Sequence, residues 1–90
     1  MAERDLEKMI KSAIKEKKAI LGFRECIKFL KMNIPKVVII ANNIPESLRK
    51  EIEYNAKISR VEVKVFNRSS KELGVICGKP FPVSTIVIKE

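Results

Sequence analysis

The sequence predicts an α/β fold: a three-layer α/β/α sandwich with four strands, in the order α-β-α-β-α-β-α-β. Three observations predict it. Four stretches carry helical apolar spacing or helix start and stop signals, four short runs between them carry strand patterns, and the two kinds alternate along the whole chain. Such alternation puts helices on both faces of a sheet. The strands need not all be parallel. Ninety residues make one domain, 1–90, rather than two. A chain of this length buries only about 60 to 65% of its unfolded surface, but with 46% apolar residues it has enough for one core.

The first helix is expected within "ERDLEKMIKSAIKEKK", where Leu6, Met9, Ile10, Ala13 and Ile14 recur at steps of three and four. Acidic residues open it (Glu3, Asp5, Glu7) and lysines close it (Lys15, Lys17, Lys18), as the helix dipole favours. "AILGF" reads as a short strand running into Gly22. A second helix follows over about 23–32, with Ile27 and Leu30 facing inward. "KVVII" (36–40) is a continuous β-branched run, the pattern of a strand buried on both faces. "ANNIPE" is a turn whose proline suits a first helical turn. The helix after it, "ESLRKEIEYNAKI", carries Leu48, Ile52 and Ala56 at steps of four.

"VEVKVF" (61–66) alternates apolar and charged residues, so it predicts a strand with one wetter face. Ser69 and Glu72 match a capping box that opens a short helix through Cys77. Gly78 can end that helix in the left-handed conformation. "VSTIVI" (83–88) is the last strand. Between these two elements lies "GKPFP", a phenylalanine held between two prolines. Each proline fixes its own φ and restrains the residue before it, so Phe81 is expected on a stiffened loop.

Nineteen Lys and Arg against eleven Asp and Glu give a formal net charge of +8. A small domain with that excess attracts polyanions. The two cysteines, Cys26 and Cys77, are not spaced as a C-x-x-C pair and are expected as reduced, buried thiols. Without histidine or a cysteine cluster, no metal site is expected. No run approaches 18 apolar residues and no signal sequence is visible, so a soluble, intracellular protein is expected. Nucleophile-elbow and phosphate-loop motifs are absent, and no catalysis is expected.

Chemistry collects at three junctions: Gly22, Phe23, Arg24, Glu25 and Lys28 around the second helix start; Asn42 and Asn43 after the second strand; Lys79, Phe81 and Pro82 before the last strand. A glycine at a helix start allows close backbone approach, and the exposed amides favour a phosphate. Arg24, Lys28 and Lys79 supply cations, Asn43 and Glu25 can hydrogen-bond base edges, and Phe81 can stack an unpaired base. Each residue also has a plainer use. Gly22 suits a turn, Phe23 shares a face with Ile27 and Leu30, and Arg24 and Lys28 fit a solvated helix face. Asn42 and Asn43 suit turns or caps, and Phe81 can pack under its loop.

"KVVIIANNIPESLRKEIEYNAKIS", "KELGVICGKPF" and "VSTIVI" strongly resemble the L-thirty-e family of archaeal and eukaryotic large-subunit ribosomal proteins, within the kink-turn-binding superfamily. The resemblance runs from about residue 5 to residue 89 and implies a sheet of mixed direction. It implies a structural role in the large subunit, gripping a kink-turn-like internal loop of ribosomal RNA with three loops at one end of the sandwich. On that reading Gly22 and Arg24 contact backbone and bases with Lys28 in support, Asn43 reads a base, and Phe81 stacks on a flipped-out nucleotide with Val83 beside it. Other ribosomal proteins are implied as neighbours, with no cofactor, no membrane, and a monomer when free. Glu25 departs from the family's small or basic residue and resembles sister kink-turn proteins that read a guanine edge there. Two alternatives stand beside this reading: such a sister protein in RNA processing, and a protein-interaction module whose basic face takes an acidic partner.

Overall fold

Two apolar stripes on opposite faces of one sheet organise the chain, whose computed structural model describes residues 3–90. The side chains of Glu3 and Arg4 lie outside the described residues. The elements are α1 (Glu3–Lys15), β1 (Ala19–Leu21), α2 (Phe23–Met32), β2 (Val37–Ala41), α3 (Glu46–Ser59), β3 (Val63–Phe66), α4 (Ser70–Ile76) and β4 (Thr85–Ile88). This is the predicted order, and the sheet is mixed. Its strand order is β1-β4-β2-β3, with β4 antiparallel to both neighbours and β2 parallel to β3.

The central strands β2 and β4 are buried along their whole length, as continuous apolar runs require. Their side chains alternate between two clusters. Val37, Ile39, Ala41, Ile86 and Ile88 face α1 and α4, meeting Leu6, Ile10, Ala13 and Leu73. Val38, Ile40 and Val87 face α2 and α3, meeting Cys26, Ile27, Leu30 and Ile52. The layers are therefore α1 and α4, the sheet, and α2 and α3. Leu48, expected on the inner stripe of α3, is only half-buried, because that stripe meets the sheet one turn further on.

The strand expected over 61–66 is shorter, and its wet side changes face midway. Val61 and Val63 pack on the α2–α3 cluster, while Lys64 meets Glu62 at 3.0 Å on the other face. Phe66 lies on that same face and is fully buried, whereas Val65 is exposed. The reason is coverage: Phe66 joins the α1–α4 core cluster that also holds Leu73, Cys77 and Val83, whereas Val65 lies on the other face and is left open.

Helix ends follow mostly local rules. The Ser69 hydroxyl accepts from the Glu72 amide at 3.3 Å, and Gly78 takes φ 72° after α4. Pro45 sits one position outside α3, its carbonyl accepting from the Leu48 and Arg49 amides. Two lysine-arginine family residues replace the usual glycine at left-handed positions: Lys17 after α1 and Arg60 after α3, each at φ 59°.

Both thiols are free and buried. The Cys26 thiol donates to the Ile20 carbonyl at 3.3 Å, and burial pushes its pKa up to about 12 from 9.0. Burial pushes Cys77 to about 11, with the Lys79 charge acting in the opposite sense. A raised thiol pKa means the unfolded chain ionises first. This contribution is whole below about pH 9 and is lost as pH climbs towards 11 and 12. Urea midpoints at pH 8 and pH 10.5 should fall for the native chain. The fall should be smaller for Cys26→Ala, whatever that variant's own stability.

Candidate nucleic-acid interface

Strand direction gathers the predicted junctions. Because β4 runs against β1 and β2, and β3 runs with β2, the ends of β1, β2 and β3 meet the start of β4. Backbone bonds fasten them together. The Gly22 amide donates to Thr85 at 3.0 Å and the Ala41 amide to Ser84 at 2.9 Å. The Asn42 amide donates to Arg68 at 3.0 Å, which ties in the β3–α4 junction as a fourth segment of this end.

At the first junction Gly22 has φ 98° and ψ 144°, a conformation that favours glycine, and caps α2 without a side-chain bond. A Cβ there would meet nothing within 4 Å, so conformation rather than crowding demands the glycine. The space beside Gly22 at the start of α2 is open. Arg24, Glu25 and Lys28 are exposed on the same helix, and Glu25 enters no ion pair among the described residues. Phe23 is half-buried against the α2–α3 cluster, so its ring supports the helix start.

At the second junction the Asn43 side-chain oxygen accepts the Ser70 amide at 2.8 Å. One half of the amide group therefore holds the start of α4, and its NH2 remains to donate. The residue does the capping work asparagine often does, but across 27 positions rather than locally.

The third junction rests on α4. The Lys79 amide donates to Gly74 at 2.9 Å and the Val83 amide to Ser70 at 3.0 Å. Between these points the loop lies directly on the helix: a Cβ on Gly74 would collide with the Phe81 carbonyl and come within 3.3 Å of Pro82 Cα. The backbone of Phe81 is thus seated while its side chain is thrown outward, and the residue is 53% exposed. Its ring borders a notch of about 280 Å³ lined by Lys71, Val75, Lys79, Pro80, Phe81 and Pro82. Gly74→Ala should cost about 1 to 3 kcal/mol through overpacking, despite the helix propensity alanine brings. Thermal unfolding checks this; a more stable variant would mean that the loop does not rest on Gly74.

Val83 must be corrected. It is 1% exposed and packed in the α1–α4 cluster, rather than lying open beside the Phe81 ring. Val83 precedes β4, where the hydrogen bond from its amide to Ser70 holds it against the α4 side, and it packs there with Ile86 and Ile88 rather than following the alternation of the strand. Three contributors escaped the sequence reading. Gly74 and Lys71 lie within the short helix and Arg68 in the segment before it, and none of the three has a sequence pattern of its own. The capping box at Ser69 was the available signal, since it placed the start of α4 beside them. Among the described residues no group of three or more His, Cys, Asp or Glu side chains is placed to hold a metal ion. No helix among them is long and apolar enough to cross a membrane.

The fold and its loop-built basic end define a class. The chain belongs to the Ribosomal protein L7Ae/L30e/S12e/Gadd45 family, whose model matches residues 4–90. Within that family it is 42% identical over 84 residues to the large ribosomal subunit protein eL30 of Methanocaldococcus jannaschii, covering 93% of this chain and 76% of that one. It is 41% identical over 86 residues to eL30 of Methanothermobacter thermautotrophicus, covering 96% and 88%. Among solved structures, the Giardia lamblia 15.5kD RNA binding protein superposes with a TM-score of 0.85 at 20% identity, over 100% of this chain and 77% of that one. A Bacillus halodurans protein of unknown function gives 0.83 at 18% identity, over 93% and 83%. The likeness to these last two is one of fold.

Proposed function

We propose that this chain is a structural, non-catalytic constituent of the large ribosomal subunit, acting in the cytoplasm, which binds and stabilises a kink-turn-like internal loop in RNA. The observation that carries the reading is the exposed Phe81 ring, seated by Gly74 at the same end as the open start of α2. Identity of about 40% to archaeal eL30 proteins supports the ribosomal setting. Arg24, Lys28 and Lys79 give salt-dependent attraction to phosphates. The α2 amides beside Gly22 approach the backbone at the kink. Asn43 donates to a base acceptor, Glu25 accepts from a base amino group, and Phe81, flanked by Pro82, stacks on an unpaired purine. Other ribosomal proteins are its neighbours, and the free protein is a monomer.

Lys79→Ala tests the phosphate part. Binding should weaken across RNA sequences, and the slope of log K against log salt should become shallower by about 1. An unchanged slope would remove Lys79 from the interface. The free Glu25 carboxylate favours one second reading, a sister protein in RNA processing that reads a guanine edge. Sedimentation of tagged protein separates the two: co-migration with large subunits through high salt supports the ribosomal role, and migration with small ribonucleoproteins supports the other.

A further inference from the structure

A second surface lies along the β1 edge of the sheet. Among the described residues strand β1 pairs only with β4, so its outer edge has no strand partner among them. Gly22 donates to Thr85 and Lys18 accepts from Lys89, which fixes the register. Residues 18, 20 and 22 thus bond inward, and the amides and carbonyls of Ala19 and Leu21 point away from the sheet. Directly beside this edge is a notch of about 230 Å³, lined by Ile20, Phe29 and Met32 with Glu25, Lys28 and Asn33 around them. Met32 is 82% exposed, whereas Cys26, Ile27 and Leu30 of the same helix are buried.

We propose that the β1 edge and the Phe29–Met32 notch receive an extended protein segment that adds a strand to the sheet, with one large apolar side chain in the notch and acidic residues flanking it. The edge offers donors and acceptors in alternation, which another peptide backbone matches and a phosphate backbone, carrying acceptors only, does not. Alternate residues of an added strand fall on the α2 side, next to Ile20, which brings one side chain in three to five into the notch. The sign of the flanking residues follows from charge. Lys28 and Glu25 line the notch, Lys17 and Lys18 lead directly into β1, and Lys31 is exposed one residue before Met32, so lysines outnumber carboxylates along the edge; Lys18 is paired with Glu16. A neighbouring acidic protein tail or loop fits this surface, which adjoins the RNA-facing end at Glu25 and Lys28.

The test uses the full chain, labelled with nitrogen-15, and nine-residue peptides of alternating β-branched residues with a central Leu or Phe and two glutamates at each end. The expected result is saturable binding that slows amide exchange at Ala19 and Leu21. Lysine-ended counterparts should not bind. Met32→Asp, at an exposed position, should lower peptide affinity by roughly tenfold or more and leave binding of a kink-turn RNA unchanged. Three results would overturn the proposal: no peptide binding, binding that leaves the Ala19 and Leu21 amides unaffected, or displacement of the peptide from those amides by short single-stranded RNA. The last would assign the notch to RNA instead.

Discussion

Phe81→Ala should lower affinity for a kink-turn RNA by about 5- to 150-fold, the equivalent of roughly 1 to 3 kcal/mol for one base stacked on an aromatic ring. Its melting temperature should barely move. The residue is more than half exposed, and exposed positions away from caps and special backbone shift stability by only about 0.5 kcal/mol. Phe81→Leu separates stacking from simple apolar area, since it keeps much of the bulk without a π-face. It should bind nearly as weakly as the alanine variant. If leucine restores the native affinity, the ring is not stacking.

Phe66→Ala should do the reverse. Phe66 is fully buried where β3 ends, in one core cluster with Leu73, Cys77 and Val83. Removing it should cost about 3 to 5 kcal/mol, a large share of the roughly 5 to 13 kcal/mol available to a domain of this size. With about 4 to 8 °C lost per kcal/mol at this length, the midpoint should drop by tens of degrees. Circular dichroism melts check this directly. The effect should centre on the RNA-facing end, because the same ring supports α4 and thereby the loop on it. Hydrogen exchange should quicken first at Leu73 and Cys77. A Phe66→Ala protein that melts within a few degrees of the native one would mean that the α4 region is not part of the cooperative core.

The contrast between these two phenylalanines marks what the sequence makes legible. Phe81 stood out because two prolines enclose it, and local chemistry alone is enough to predict a stiff loop. Phe66 looked like the end of an alternating strand, and nothing local reveals that it joins the α1–α4 core cluster. The β-branched run of β2 announced its double burial through composition, whereas Leu48 and Val83 depended on where their elements meet the sheet. Gly74 is the sharpest case. Its necessity comes from a loop that crosses it seven residues later, a tertiary contact with no periodic trace. Asn43 was readable as a cap, but its partner, the Ser70 amide, becomes visible only once β2 and β3 lie side by side. The left-handed Lys17 and Arg60 show the same limit, since glycine normally signals such positions and neither carries one.

The most direct measurement is the ratio of affinities for a kink-turn RNA and for a matched duplex without the internal loop, at two salt concentrations, for the native chain and Phe81→Ala. The native protein should prefer the kinked RNA strongly at both salts, and the variant should lose most of that preference while melting at the native temperature. Equal, salt-sensitive binding of both RNAs by the native protein would contradict recognition of the bent loop and leave only a basic surface that attracts any polyanion.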